Sequence, residues 1–393
     1  MESLLRRMIC FLLIIVLLTP AYTLAQAQET METPEDSGNS AIAGEIKSAL
    51  LVEMSTQQPL AQKEADILQP VAGLCKLPAL LVVCEAVDQG LMDLSAQVSV
   101  SSRAAGIGGP SAFIERGETI EAAHLMKAAA MICAGDAIEA LGEAIFGTET
   151  AFLDRINNRL DQLGVGVTLN DPIGIGTNFS SRMLAVIGAA LMQSECFTTH
   201  STLTLEKFTH QDGRETELVS ANKMLRNYAG CIGVATGSSP SDGYCGVFSV
   251  ARGDTKLICV VLGAKNSNER FAVAQALLDE AYATLRTQSL AQKGDVFAQD
   301  VRVKGGKISS ISLVAKDTVV LLLDKAEPAL TAVENIPEEL SAPLKATDVV
   351  GSISYQSADG VERGKVELVP AQSVEKNYYR DCIREVLLIF LRI

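Results

Sequence analysis

Tyr244-Cys245-Gly246-Val247-Phe248-Ser249-Val250 and Leu257-Ile258-Cys259-Val260-Val261-Leu262, joined across Arg252-Gly253-Asp254, decide the fold. Both runs are short and rich in Val and Ile, and the Gly-Asp pair between them is turn chemistry. Together they predict a β-hairpin. Working outward, Ser48-Ala49-Leu50-Leu51-Val52-Glu53 predicts an early strand. Leu77, Leu80, Leu81, Cys84 and Val87 recur at helical spacing and predict a helix over residues 77–88. Residues 118–146, dense in Ala and Leu, predict one long helical stretch, and residues 148–163 another that Gly164 stops. An amphipathic helix over residues 269–285 follows the hairpin. Strands at both ends with helices between and after them predict an α/β domain over residues 41–286, with an antiparallel sheet and a helical lobe.

Beyond Gln288 the character changes. Residues 296–303, 308–314, 318–323, 352–357 and 365–369 are short β-like segments. Lys304-Gly305-Gly306-Lys307, Ala315-Lys316-Asp317 and Asp359-Gly360 punctuate them. No helical stretch intervenes, so residues 291–376 read as a small all-β domain without His or Cys, better suited to spacing or docking than to chemistry.

The two ends carry targeting signals. Arg6 and Arg7 precede an unbroken apolar run, and Ala25-Gln26-Ala27 supplies a small-x-small cleavage site, the layout of a secretory signal peptide over residues 1–27. The run is short of the roughly 20 residues a membrane span needs. Residues 28–40, rich in Glu, Thr, Pro, Ser and Gly, read as a disordered leader. At the other end, residues 377–393 place Arg380, Arg384 and Arg392 around an apolar stretch. This predicts an amphipathic tail lying on the membrane surface, on the outer face of the cytoplasmic membrane. Packing of that helix on the protein itself is the alternative.

Composition narrows the function. The 393 residues are 48% hydrophobic and 20% charged, with a formal net charge of -14, which argues against a nucleic-acid partner. Three histidines, His124, His200 and His210, are never three or four residues apart, so no metal site is expected, and nothing implies a cofactor. The nine cysteines fit neither a zinc spacing nor a dense disulfide scaffold; buried free thiols are the default, with one disulfide open outside the cytosol.

Cys231-Ile232-Gly233-Val234-Ala235-Thr236-Gly237, then Gly243-Tyr244-Cys245, Val260-Val261-Leu262-Gly263-Ala264 and Arg270-Phe271, resemble a known pattern. So do Gly108-Gly109-Pro110-Ser111, Gly117-Glu118, Phe152 with Asn157, the Asn170-Asp171-Pro172-Ile173-Gly174 turn, and Ala342-Pro343-Leu344. In this order they resemble the serine D-alanyl-D-alanine carboxypeptidases, the low-molecular-mass penicillin-binding proteins of peptidase family S11. The resemblance covers nearly all of the chain after the leader. It implies the α/β penicillin-binding and β-lactamase-like transpeptidase fold, an antiparallel sheet plus helical lobe, followed by a small all-β domain.

The resemblance also implies three clusters of site residues. In the family, Ser-x-x-Lys supplies a nucleophilic hydroxyl and a lysine that takes its proton. Here that place holds Gly73 and Lys76. Ser-x-Asn, which moves protons and holds the substrate amide, falls on Cys133-Ala134-Gly135. Lys-Thr-Gly, whose lysine sets positive potential near the substrate carboxylate, reads Ala235-Thr236-Gly237. Only Lys76, Thr236 and Gly237 keep their family identities. The expectation is a pseudoenzyme whose partners are a peptidoglycan stem peptide or an active cell-wall enzyme. The competing reading is a carboxypeptidase working through an atypical site. Cys133 is its best nucleophile, because Lys76 is placed to depress its pKa. Ser220-Ala221-Asn222-Lys223 and Ser373-Val374-Glu375-Lys376 match Ser-x-x-Lys literally, but they sit at the wrong places in chain order.

Overall fold

The computed structural model describes Ile42 and residues 44–378. The expected signal peptide (1–27), disordered leader (28–40) and nearly all of the expected membrane tail (377–393) lie outside the described residues. In chain order the first domain comprises β1 (Ser48–Glu53), β2 (Pro59–Lys63), a 3₁₀ turn (Ala72–Lys76), α1 (Leu77–Asp88), β3 (Gln97–Ser99), β4 (Thr119–Glu121), α2 (Ala122–Ile132), α3 (Gly135–Phe146), α4 (Glu149–Gln162), α5 (Ser181–Leu191) and α6 (Glu195–Ser201). It continues with β5 (Leu205–Thr209), β6 (Glu215–Val219), α7 (Met224–Asn227), β7 (Cys231–Ser239), β8 (Gly243–Arg252), β9 (Thr255–Ala264) and α8 (Ser267–Thr284). The hairpin that opened the sequence reading is β8–β9, with Arg252 opposite Thr255. It lies inside a five-stranded sheet of order β2-β1-β9-β8-β7, antiparallel at every pairing.

Both faces of this sheet are covered, which is why its strands read as nearly continuous apolar runs rather than as alternation. Along β1, Leu50 and Val52 join one core while Ala49 and Leu51 join the other. Along β9, Ile258, Val260 and Leu262 face the first, and Leu257, Cys259 and Val261 the second. The period-2 geometry of a strand sends neighbours to opposite faces. The first core is shared with α1 to α6, and the second with α8 through Phe271, Ala274, Leu278 and Ala281.

Two expectations are corrected. The stretch over residues 118–146 is not one helix: β4 occupies its start, and the remainder is split into α2 and α3 at Cys133, which sits at φ 53° in the left-handed region. The left-handed residue is not a Gly, and Gly135 just after it is small enough to pass within an Ala-rich helix, so the pattern reads straight through the break. The β structure also starts earlier than residue 291. β10 (Leu285–Ala291) leaves directly from the end of α8 and pairs antiparallel with a later strand over Val319–Asp324.

After β10 come β11 (Val296–Lys304), β12 (Ser310–Ala315), β13 (Val319–Asp324), β14 (Thr331–Asn335), β15 (Glu339–Ser341), β16 (Gly351–Gln356) and β17 (Glu362–Pro370). Six of them form a sheet of order β14-β16-β17-β12-β11-β15 around a small core containing Leu313, Val366 and Leu368. Thr287 donates its backbone N–H to the Thr255 hydroxyl, and the Tyr282 hydroxyl donates to the carbonyls of Val250 and Thr255. These bonds anchor the junction between the domains to the tip of the β8–β9 hairpin. Among the described residues, no helix is long and apolar enough to cross a membrane.

Candidate functional site

The site forms where the 3₁₀ turn before α1, the α2–α3 break and β7 converge. Asp242, in the β7–β8 turn, accepts the Ala72 N–H at 3.1 Å, and Ala72 itself is at φ 51°. That bond fixes the turn that presents Gly73. A Cβ built on Gly73 meets nothing within 4 Å, so a side chain there would project into open space. A Cβ on Gly237 of β7 would lie 2.8 Å from the Gly73 nitrogen. Only glycine allows β7 to approach the turn so closely. Behind β7, buried Arg270 on α8 donates to the Gly237 and Cys245 carbonyls at 3.1 and 2.8 Å and clamps β7 to β8.

Lys76 is buried, 4% exposed, and its ammonium donates to the Cys133 carbonyl at 3.3 Å and the Pro110 carbonyl at 3.5 Å. A Cβ on Gly135 would lie 2.8 Å from Lys76 Nζ and 2.5 Å from Ile107 Cγ2. Lys76 and Ile107 therefore fill the space that an asparagine side chain at 135 would need. The thiol of Cys133 points toward the Gly73 carbonyl, 3.8 Å away. The structure thus brings Gly73, Lys76, Cys133, Gly135 and Gly237 together around one point. No side-chain oxygen from positions 73, 133 or 135 reaches it.

Burial works against Cys133 as a thiolate: it pushes the thiol up to about 11, and Lys76 opposes this only in part. Cys75 is pushed up to about 12, first by burial and then by Cys133, with Lys76 pulling the other way. Thiols titrating there hold on the order of one thiolate in 10⁴ near neutrality. Lys76 does pull the Cys133 pKa down, as expected, but desolvation outweighs the single ammonium, which is itself turned onto carbonyls, so the net shift is upward.

Lys76 has no carboxylate partner among the described residues. A buried cation satisfied only by carbonyls carries a desolvation cost that an apolar side chain of similar length avoids. Replacing Lys76 with Met is therefore expected to stabilise the fold by about 1 kcal/mol or more, read as a higher thermal midpoint. A fall of several degrees would mean instead that the two carbonyl bonds hold the cleft together.

Beside the motif positions runs a groove of about 350 Å³, lined by Ser111, Phe113, Ser220, Asn222, Ala235 and Thr236 among others. Of the seven motif positions only Ala235 and Thr236 line it. One wall is the free edge of β7, and the opposite wall carries Phe113, which is 63% exposed. Asn222 contributes mainly to structure: its Oδ1 accepts from Met224 N at 3.1 Å, and its Nδ2 donates to the Gly233 carbonyl at 3.5 Å. Ser220 accepts the Asn222 N–H at 3.3 Å, so this literal Ser-x-x-Lys match is a turn on the groove wall.

Two buried carboxylates outside the three motif clusters hold these walls. Asp136, in the first turn of α3, accepts from Ser111 Oγ at 2.6 Å and from the backbone of Ala112, Ala137 and Ile114 at 3.0, 2.8 and 3.4 Å. Glu118 accepts from His210 Nδ1 at 3.0 Å, while His210 Nε2 meets the Thr216 hydroxyl at 2.9 Å. The second network ties the β5–β6 hairpin, and so the wall from Glu217 to Ser220, to the loop before β4. Burial works against the charged form of Glu118. The Glu115 and Gln211 amides and His210 outweigh it and hold the carboxyl below its ordinary 4.5. A depressed carboxyl pKa gives stability that is present above 4.5 and is lost as the pH falls through the lower folded value. The stability gap between the natural chain and a Glu118→Gln variant in urea unfolding is expected to be widest near neutrality and to close in acid. A gap independent of pH would contradict this.

Comparison with known proteins places this geometry. A family model described as D-alanyl-D-alanine carboxypeptidase matches residues 34–266, and one described as the C-terminal domain of penicillin-binding protein 5 matches residues 285–376. The chain is 29% identical over 355 residues to the D-alanyl-D-alanine carboxypeptidase DacF of Bacillus subtilis, covering 88% of this chain and 90% of the relative. It is 25% identical over 360 residues to DacA of Escherichia coli, covering 88% of each. The crystal structure of penicillin-binding protein 5 from Haemophilus influenzae superposes with a TM-score of 0.72 at 23% identity, over 84% of this chain and 98% of that one. This last similarity is one of fold.

Proposed function

Because the chain belongs to the D-alanyl-D-alanine carboxypeptidase family, we propose that it is a catalytically inactive member of it, exported to the cell envelope, with a binding or scaffolding role in peptidoglycan metabolism. The observation that carries this reading is Gly73. Acyl transfer begins with an attacking atom, and at this position there is none, although the space for one is open. Cys133 and Cys75 do not substitute, since burial keeps both as thiols.

The groove along β7 supports a binding role. A peptide laid against the free edge of that strand would find backbone donors and acceptors in ladder geometry, with Thr236 and Phe113 beside it. Ala235 removes the charge that would meet a terminal carboxylate, so recognition falls on backbone hydrogen bonds and apolar contact rather than on an ion pair. A peptidoglycan stem peptide, or a segment of an active cell-wall enzyme, is the partner class this favours. The arginines beyond Tyr378 would hold the chain at the membrane surface.

The test is turnover. A peptide ending in D-alanyl-D-alanine, incubated with the purified chain, is expected to release no D-alanine above the uncatalysed rate. Release that depends on protein concentration would sink the inactive reading outright, and its loss in a Cys133→Ala variant would assign the turnover to that thiol.

A further inference from the structure

Away from the cleft, Cys84 and Cys196 share one piece of geometry. Cys84 lies on α1, one turn before Asp88, so both side chains leave the same face of the helix. Asp88 caps the start of α6: it accepts from Ser194 Oγ at 2.5 Å and from the backbone N–H of Cys196 at 2.8 Å. Cys84 is therefore held beneath the first turn of α6, where Cys196 sits. Both are buried, at 0% and 7% exposure, within the same apolar core. α1 packs against α6 here, which brings the two cysteines to one helix–helix contact. Cys196 adds to burial in pushing the Cys84 thiol well above its ordinary range. The cysteines of β7, β8 and β9 have no such arrangement, since Cys231 lies opposite Val250, Cys245 opposite Gly237 and Cys259 opposite Phe248.

We propose that Cys84 and Cys196 form a disulfide that ties α1 to α6. Two S–H bonds break and one S–S bond forms. The two electrons and two protons pass to a disulfide-bearing oxidant, glutathione disulfide or a thiol oxidoreductase, which leaves as two thiols. The proposal leans on the exported location proposed above only for the presence of such an oxidant in life; the pairing itself is a property of the fold. Its consequence reaches the site. α1 follows directly from Lys76, and α6 supports β7 through Ser201, whose hydroxyl donates to the Ile232 carbonyl at 2.7 Å. A covalent tie between the two helices would brace the Lys76 turn and β7 against moving independently.

The experiment uses the full purified chain, equilibrated with glutathione disulfide in urea below the unfolding transition, so that buried thiols open transiently. It is then alkylated in denaturant, digested and mapped. The expected result is one cystine peptide joining Cys84 to Cys196, an oxidised chain about 2 Da lighter than the reduced one, and a thermal midpoint that falls on reduction. The cystine should vanish in both Cys84→Ser and Cys196→Ser. Mapping on the natural chain does not require either variant to fold. Alkylation of both cysteines at full oxidation would overturn the proposal, and so would a cystine joining other residues such as Cys75 and Cys133. Pairing in the test tube but free thiols in chain isolated from cells would leave this inference standing and count against the exported location.

Discussion

Exposed to a penicillin, the natural chain is expected to show no increase in intact mass, because the acyl-enzyme needs an oxygen that Gly73 does not provide. In enzymes built on an activated serine, removing that serine costs on the order of 10⁶ in rate, and further losses do not add. A restoring series is more informative than the unchanged mass. Gly73→Ser places its side chain in open space, so the fold should accept it unchanged. Acylation should nonetheless stay slow, because Lys76 is engaged by the Cys133 and Pro110 carbonyls and the positive charge at 235 is absent. Adding Gly135→Asn and Ala235→Lys forces the Lys76 ammonium out of its present position and returns charge to β7. Covalent labelling is expected in that triple variant, and only on the hydroxyl introduced by Gly73→Ser. A penicilloyl adduct on the natural chain, at any residue, would overturn the inactive reading.

The second large effect concerns stability. Asp136→Ala is expected to destabilise the first domain by about 3–5 kcal/mol, because it strips several buried donors of their acceptor at once. The donors belong to the Ser111–Ile114 loop and to the first turn of α3, so the loss should reach both the helical lobe and the groove wall that carries Phe113. Urea unfolding followed by circular dichroism measures it as a lower midpoint at an unchanged slope. A change under about 1 kcal/mol would mean that water replaces the carboxylate, and that the loop is not held from within.

The central hairpin was legible because its residues alternate between two cores and so leave an unbroken apolar run. α1 was legible to the residue, since Leu77 to Val87 carry a clean helical period and Asp88 ends it. The α2–α3 break was not, because Cys133 adopts the left-handed conformation without the Gly that normally marks it. The β5–β6 hairpin was missed although Asp212-Gly213 is turn chemistry. Its strands have one buried residue each, Phe208 and Leu218, and so lack an apolar run. β14 has none and left no pattern to read. At the site, motif order picked out residues that the fold brings close together, but the inward turn of Lys76 could not be read from spacing. Asp136 could have been found, as an acid at the start of a helix directly after the second motif. The pairing of Cys84 with Cys196 depends on how two helices pack, which no local pattern encodes.

The position of Lys76 also sets the order in which activity could be built into the cleft. An asparagine at 135 and the present lysine rotamer compete for one volume, and an isoleucine methyl shares it. Restoring the motifs therefore has a preferred order. A hydroxyl at 73 arrives freely but idle, whereas an amide at 135 must first evict its neighbours and would arrive with no nucleophile to serve. On the inactive reading proposed above, each single substitution is expected to bring no activity, and only their combination is expected to supply it. The buried lysine thus acts as a steric gatekeeper, and the space at 135 opens only when its ammonium is drawn elsewhere.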